Sequence, residues 1–266
     1  MAKGAGKSRA DDLLLNRPDI AWQRILRISS DALFYDDAKG GTAMEFCLAE
    51  WLKGYRAAVE AEFGARVWFM GIQGSYGRGE AGPDSDIDVV LILDELTPDD
   101  LRAYRAVLDT LSARERICGF IAGRAELMAW ERSDAFQLCY DAVPIIGTLD
   151  ELKALITADD VARAVHIGAC NVYHGCAHNM LHGRSADVLR GLLKSAVFTL
   201  QAIAFARTGT YERRHAALGE HLTGDDLTLW RACARVKADP EVAHGEFEAL
   251  SAQLLSWARL HIAISK

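Results

Sequence analysis

Two apolar segments joined by a glycine-rich connection constrain the fold of this chain more than any other feature. Val67–Ile72 and Ile87–Leu93 consist mainly of large apolar residues, which predicts two buried β-strands. Gly74-Ser75 closely follows the first segment, and Asp86 and Asp88 flank the first residue of the second. Because strand side chains alternate between the two faces of a sheet, both carboxylates are predicted to lie on one face.

The paired carboxylates predict a site for a hard divalent cation. Two neighbouring anions repel each other, and a cation between them removes that cost. Mg²⁺ is typically bound by one or two carboxylates and completes its octahedral shell with phosphates and water. The Gly-Ser turn upstream offers backbone N–H groups and a hydroxyl to phosphate. The order of turn, acids and strand therefore predicts phosphoryl or nucleotidyl transfer.

The same residues carry a family resemblance. Gly74, Ser75, Asp86, Ile87 and Asp88 resemble the signature of the polymerase-beta-like nucleotidyltransferase superfamily, a Gly-Ser followed by Asp-hydrophobic-Asp. The resemblance implies a Mg²⁺-dependent enzyme that transfers a nucleoside monophosphate, AMP, from an NTP to an acceptor hydroxyl. The expected cofactors are two Mg²⁺ ions, with ATP as the co-substrate.

The superfamily also has a third carboxylate on a following strand, and Glu126 is assigned to it here. Glu126 lies in a short apolar run that predicts a strand over Ala125–Trp130. Asp134 and Asp141 are the alternatives. The resemblance makes Asp86, Asp88 and Glu126 both the catalytic residues and the metal ligands, with Glu126 accepting the proton of the acceptor hydroxyl.

Four residues near the paired acids are predicted to bind the nucleotide. Gly74 and Ser75 form the turn, and Ser75 and Ser85 are expected to hold the β- and γ-phosphates with neighbouring backbone N–H groups. Arg78, in the glycine-rich segment, is expected to steady the triphosphate.

The rest of the chain predicts an α+β fold, a small mixed sheet flanked by helices, followed by an all-helical bundle. The catalytic domain is expected over residues 1–149 and the bundle over residues 150–266. Helices are predicted over Pro18–Tyr35, Ala43–Phe63 and, after the hydroxyl cap and proline at Thr97-Pro98, to Leu111. Further strands are predicted over Ile117–Ala122, Ala125–Trp130 and Gln137–Val143, with a connection over Pro144–Thr148. The predicted bundle helices span 150–156, 158–182, 186–207, 212–221, 225–237 and 241–264.

The helical half resembles the C-terminal bundle of aminoglycoside-type nucleotidyltransferases. In that family a helix of the bundle ends in Thr-Gly, and a basic residue shortly after the helix commonly contacts phosphate. Thr208-Gly209 of this chain resembles that helix end. That resemblance assigns nucleotide binding to Lys194 and to Arg214, with Arg213 as the alternative to Arg214.

Four residues spaced four apart, His166, Cys170, His174 and His178, lie on one predicted helix. Because this spacing drifts around the helix, all four cannot meet at one metal ion. They are expected to pack against the bundle core or to line the cleft between domains, where His174 and its neighbour Tyr173 would contact acceptor or base.

The charge distribution argues against a nucleic-acid acceptor. Residues 1–149 carry 17 basic and 24 acidic side chains, and residues 150–266 carry 13 of each. The sequence therefore lacks the basic stripe that is typical of nucleic-acid binding. We therefore expect a small-molecule acceptor, such as an aminoglycoside-like antibiotic. A protein-modifying, antitoxin-like nucleotidyltransferase and a silent nucleotide-sensing module are the alternatives. The oligomeric state, monomer or homodimer, is left open.

Three observations bear on the cellular location. No uninterrupted apolar run is long enough to span a bilayer, and the first residues lack the apolar core of a signal peptide. Six cysteines without paired spacing indicate reduced thiols. The expected location is the cytoplasm, without a membrane partner.

Overall fold

The computed structural model describes residues 46–83 and 85–264. The predicted helix over Pro18–Tyr35 lies outside these residues. The described chain divides into two compact units. The first contains the residues up to Ala129 together with Asp141–Leu149, and the second contains Trp130–Tyr140 and the residues from Asp150 onward. The domain boundary at residue 149 stays a prediction.

The first unit is built on a mixed sheet. Its strands are β1 (Val67–Ile72), β2 (Ile87–Leu93), β3 (Ile117–Gly123) and β4 (Val143–Ile146), in the spatial order β3-β2-β1-β4. Strand β1 runs antiparallel to both β2 and β4, whereas β2 and β3 are parallel. The two strands predicted around the Gly-Ser turn are confirmed, and so is the α+β fold.

Helices cover one face of this sheet. Helix α1 (Leu48–Phe63) and helix α3 (Pro98–Asp109) pack their apolar side chains on the β2 face that carries Ile87, Val89 and Leu91. A short helix, α2 (Gly74–Arg78), joins β1 to the segment before β2. Because Ile87 points into this core, Asp86 and Asp88 belong to the opposite face of β2.

Helix α3 begins where the sequence predicts. Thr97 Oγ1 accepts a hydrogen bond from the backbone N–H of Asp100, and the Asp100 carboxylate accepts one from the N–H of Thr97. This reciprocal capping satisfies N–H groups that the first helical turn leaves unpaired, with Pro98 at the first helical position. The parallel pairing of β2 and β3 requires such a crossover helix between them.

Three predicted elements are wrong. Ala125–Trp130 is not a strand, because helix α4 (Arg124–Ala129) occupies it. Gln137–Val143 is not a strand either, since helix α5 (Arg132–Asp141) precedes β4. The connection predicted over Pro144–Thr148 contains most of β4. Short apolar runs suit a buried helical turn as well as a strand, and periodicity does not separate the two.

The second unit is helical apart from its connections. Its core is formed mainly by leucine, valine and alanine side chains, with Leu193, Leu200 and Leu254 almost fully buried. Beyond α5 its helices are α6 (Asp150–Lys153), α7 (Ala158–His178), α8 (Ala186–Thr208), α9 (Gly224–Ala238), α10 (Val242–Gly245) and α11 (Phe247–Ile264). A π-helical turn, Asn179–Gly183, extends α7.

The predicted helix over 212–221 is reduced to a 3₁₀ turn at Leu218–His221. The buried side chain of Gln201 explains the loss. Its amide group donates hydrogen bonds to the backbone carbonyls of Glu212 and Arg213, at 3.0 and 3.4 Å. These carbonyls are therefore held by a side chain where a regular helix would bond them to its own backbone.

Helix α8 is long and apolar enough to cross a membrane by length and composition, but 56% of its most apolar window is buried in the structure. This burial is the pattern of a core helix of the bundle. Among the described residues the six cysteines are all free thiols.

Candidate functional site

The Gly-Ser turn and the paired acids meet directly. Gly74, the first residue of α2, has a backbone φ of +66°. A Cβ atom at this position would lie 1.9 Å from Oδ2 and 2.7 Å from Cγ of Asp88, so the Asp88 carboxylate lies against the bare Cα of the turn. The Asp88 carbonyl also accepts a hydrogen bond from the backbone N–H of Gln73, at 2.8 Å. Glycine is required here by both the dihedral angle and the contact.

The two acids differ in exposure but share a face. Asp86 is exposed and Asp88 is half-buried, while Ile87 between them is fully buried in the core. Within residues 46–83 and 85–264, neither a hydrogen bond nor an ion pair to the Asp86 carboxylate is found. The same residues contain no group of three or more His, Cys, Asp or Glu side chains arranged to hold a metal ion.

These observations decide which kind of metal site fits. Two carboxylates on one face suit Mg²⁺, which is commonly bound through one or two carboxylates and the phosphates of a substrate. An all-protein cage would need further ligands that the described residues do not bring to the pair. The pair therefore fits an ion that arrives with a nucleotide, and it does not provide the predicted three-carboxylate set.

Arg78, which is predicted to steady the triphosphate, is buried and paired in the structure. It is only 8% exposed, and its guanidinium donates a hydrogen bond to the carboxylate of Asp141 at 2.9 Å. The same oxygen of Asp141 accepts a hydrogen bond from the backbone N–H of Gly74, at 3.3 Å. Arg78 and Asp141 thus form a buried ion pair, and the hydrogen bond from Gly74 to Asp141 links this pair to the Gly-Ser turn. Breaking such a pair is costly because it leaves a buried charge uncompensated.

The two serines have different surroundings. Ser75 is half-buried, and in the described chain its hydroxyl has no hydrogen-bond partner, so it is available to a ligand. The Ser85 hydroxyl instead accepts a hydrogen bond from the N–H of Gly82 at 2.8 Å, and the Ser85 N–H donates to the Gly82 carbonyl at 3.1 Å. Ser85 therefore closes a turn before β2.

Glu126 is not brought to Asp86 and Asp88. It lies on helix α4, and a Cβ at Gly123 would be 2.2 Å from its carboxylate. Gly123 pairs with Leu93 at the far end of β2. Five residues of strand separate Leu93 from Asp88, a distance of about 17 Å at the usual rise per residue. The structure therefore does not bring Glu126 to the pair, and its role as the third carboxylate stays a prediction that substitution can test.

Strand β3 supplies no substitute. Its sequence from Ile117 to Gly123 contains no acid, and the residue paired with Asp88 is Cys118, which is exposed. Because paired positions on neighbouring strands share a face, Cys118 lies on the same face of the sheet as Asp88.

The far end of β2 also carries acids, but these are paired. Arg66 donates hydrogen bonds to both carboxylate oxygens of Asp100, at 2.6 and 3.1 Å, and to Asp94 at 3.1 Å. The hydrogen bonds from Arg66 and then Thr97 hold the pKa of Asp100 well below its ordinary value. This network fastens the start of α3 to the end of β2.

The basic residues assigned to the nucleotide from the helical half lie in the second unit. Lys194 is exposed on α8 and Arg214 is exposed in the loop after it. Arg213, the alternative, uses its guanidinium to donate a hydrogen bond to the Tyr140 carbonyl at 3.0 Å. Arg214 is therefore the more accessible of the two arginines, and the roles of Lys194 and Arg214 stay predictions.

The histidine-bearing helix is α7. His174 and His178 are exposed, so the expectation that they pack into the bundle core is wrong for these two. His166 and Cys170 are half-buried, with the Cys170 thiol 3.7 Å from Nε2 of His166. A role of this face toward acceptor or base stays a prediction.

Comparison with known proteins agrees with the motif. Residues 52–156 match the model of the nucleotidyltransferase domain family. No curated protein matches the chain by sequence. Among solved structures, one similar chain is the spectinomycin adenyltransferase of Enterococcus faecalis, crystallised with ATP and spectinomycin. It is 14% identical, with a TM-score of 0.48 over 77% of this chain and 98% of that chain.

Proposed function

We propose that this chain, whose residues 52–156 match the nucleotidyltransferase domain family, is an enzyme that transfers AMP from Mg²⁺-bound ATP to a hydroxyl of a small-molecule acceptor. The observation that carries this proposal is the contact between the turn and the acids. The Asp88 carboxylate lies against the bare Cα of Gly74, and Ser75 and Asp86, the chain neighbours of this contact, have side chains available to a ligand.

Asp86 and Asp88 would hold the metal ion that the fold implies. A Mg²⁺ ion bound there neutralises charge on the phosphates of the nucleotide. Ser75 would donate a hydrogen bond to a phosphate oxygen. Gly74 would permit the close approach of Asp88 to the turn, and the Arg78–Asp141 pair would keep the turn fixed.

The transfer is an in-line displacement at the α-phosphorus. The acceptor oxygen forms a bond to phosphorus as the bond to the bridging oxygen of the β-phosphate breaks, and pyrophosphate leaves. The acceptor hydroxyl gives up its proton during this step. Since Glu126 lies at the far end of β2, we assign the proton to solvent rather than to that carboxylate.

Charge supports the choice of acceptor. The full net charge of −7 resides in residues 1–149, since residues 150–266 carry equal numbers of acidic and basic side chains. An acidic surface raises the local concentration of a cationic substrate. An aminoglycoside-like polycation is therefore the acceptor class we propose, with a reducing, cytoplasmic location supported by the free thiols.

A transfer assay tests the proposal. The protein is incubated with Mg²⁺, each of the four labelled NTPs in turn, and a panel of aminoglycosides and lincosamides, while pyrophosphate release and acceptor mass are followed together. We expect a mass increase of one AMP on an aminoglycoside, with Glu126→Gln active and Asp88→Asn inactive. Label on protein alone would select a protein-modifying enzyme, and nucleotide binding without pyrophosphate release would select a silent module.

A further inference from the structure

One arginine outside the sequence motif contacts a residue next to each half of it. Arg116 ends the 3₁₀ turn Arg114–Arg116 and directly precedes β3. Its guanidinium donates two hydrogen bonds to the carbonyl of Ser85, from Nε at 3.1 Å and from Nη2 at 2.8 Å. Nη2 also donates to the hydroxyl of Tyr76.

The partners of Arg116 are the immediate neighbours of the candidate ligands. Tyr76 follows Ser75, and Ser85 precedes Asp86. A single side chain therefore connects the turn proposed to bind phosphate with the acid proposed to bind metal. Because β2 and β3 pair from Ile87 opposite Ile117, the backbone of Arg116 also lies level with that of Asp86.

Aromatic rings fix the orientation of the guanidinium. Its central carbon lies 5.0 Å from the ring centre of Phe46 and 5.8 Å from that of Tyr76. Arginine stacks on rings and presents a rigid planar fork of donors, whereas lysine has a flexible stem and one rotating ammonium group. Lysine at this position would keep the positive charge and lose the double hydrogen bond to Ser85.

We propose that Arg116 is a positioning residue that sets the separation between the Gly-Ser turn and Asp86, and thereby the geometry in which metal and phosphate are bound together. This inference rests on the proposed function. Small displacements of groups that bind a reacting substrate are costly in rate, since the bound geometry must be close to that of reaction. Arg116 touches neither phosphate nor metal itself and acts through Ser85 and Tyr76.

The test compares Arg116→Lys with Arg114→Lys. Arg114 belongs to the same 3₁₀ turn but is only half-buried and pairs with Asp109 at 2.8 Å, away from the motif. For Arg116→Lys we expect a fall in kcat of about tenfold and a rise of about tenfold in the Mg²⁺ concentration for half-maximal activity, with little change in the KM of the acceptor. For Arg114→Lys we expect wild-type values of all three.

A second measurement needs no turnover. Hydrogen exchange of the backbone amides of Ser85 and Asp86 in the ligand-free protein is expected to be faster in Arg116→Lys than in the wild type, and unchanged in Arg114→Lys. Binding of Mn²⁺ with a non-hydrolysable NTP analogue is expected to weaken in Arg116→Lys alone.

Tyr76→Phe keeps the ring and removes one hydrogen-bond partner of Arg116. Its effect on metal dependence is expected to be smaller than that of Arg116→Lys, and the two changes together should cost less than the sum of both, because they act on one network. This variant also tests the proposal if Arg116→Lys fails to fold.

The outcomes separate the inference from the proposed function. If the wild type transfers nucleotide and Arg116→Lys keeps wild-type metal dependence and exchange, the positioning role is overturned and the proposed function stands. If the wild type transfers nothing, the proposed function fails, while the exchange of Ser85 and Asp86 still decides whether Arg116 holds the two halves together.

Discussion

Carboxylates lie near both ends of strand β2, but the surroundings of these groups differ between the two ends. At the far end, Asp94 and Asp100 are bound by Arg66, and Asp100 also caps helix α3. At the near end, Asp86 is exposed, and the described residues bring no cation to it. The difference separates acids that hold the fold together from an exposed acid, Asp86, that is available to a ligand.

The largest effect is expected at the end of β2 that carries Asp86 and Asp88. Asp86→Asn and Asp88→Asn should each lower the rate of nucleotidyl transfer by about 10³-fold or more, because the metal ion loses a carboxylate ligand. The melting temperature should stay the same or rise, since two like charges no longer repel. Pyrophosphate release and thermal unfolding measure the two effects. Undiminished turnover in either variant would show that the near end is not the metal site.

A smaller loss is expected where the turn meets the acid. In Gly74→Ala the added Cβ would overlap the Asp88 carboxylate, so transfer should fall by about 100-fold as the carboxylate moves. The matched control is Gly209→Ala. Gly209 has a nearly equal φ of +68°, but nothing lies within 4 Å of its Cβ position. Each substitution should cost about 1 kcal/mol of backbone strain in unfolding experiments, so equal activities would contradict the close contact.

The neutralised end should affect stability and not transfer. Thr97→Ala removes the hydroxyl that caps α3 and should lower the free energy of unfolding by about 1 kcal/mol with activity retained. Because the pKa of Asp100 is lowered in the folded protein, its contribution is complete above the unfolded pKa of about 4 and is lost as the pH falls through the lowered value. Denaturant unfolding between neutral and acid pH measures both. A loss of transfer in Thr97→Ala would contradict the expectation that the end of β2 near Asp94 and Asp100 affects stability alone.

The smallest effect is expected for Glu126→Gln. The residue is exposed and its carboxylate lies beside Gly123, whose strand partner Leu93 is about 17 Å along β2 from Asp88. Transfer should therefore change by less than about twofold, and stability by less than about 0.5 kcal/mol. The transfer assay with saturating nucleotide measures it. A large loss of kcat would place Glu126 in the reaction and break the contrast between the two ends.

The parts of the site that depend on local sequence could be predicted. Gly74 and Ser75 closely follow β1, Asp86 directly precedes β2 and Asp88 lies in it, and the alternation of strand side chains alone places both acids on one face. The cap at Thr97 and Pro98 is equally local, and it sets the crossover helix that makes β2 and β3 parallel.

The rest depends on contacts between distant residues. The position of Arg78 beside the turn predicts a phosphate ligand. In the structure Arg78 forms a buried ion pair with Asp141, which lies far away in the sequence. Glu126 is predicted to lie in a strand because the apolar run around it is too short for its periodicity to distinguish a strand from a helix. Arg116 belongs to no recognisable sequence motif, so the sequence does not indicate a role for it. Only the pairing of β3 with β2 brings it level with Asp86.

The path of the chain has a consequence for how this protein can be divided. The segment Trp130–Tyr140 belongs to the helical unit although Asp141–Leu149 returns to the sheet unit, so the backbone passes between the units three times. In the helical unit, the ring of Phe136 packs on those of Phe205 and Tyr211. A fragment ending at residue 149 would carry this segment without its aromatic partners. Exchange of the helical unit between related enzymes, in the laboratory or in evolution, would have to move two separate pieces of chain together.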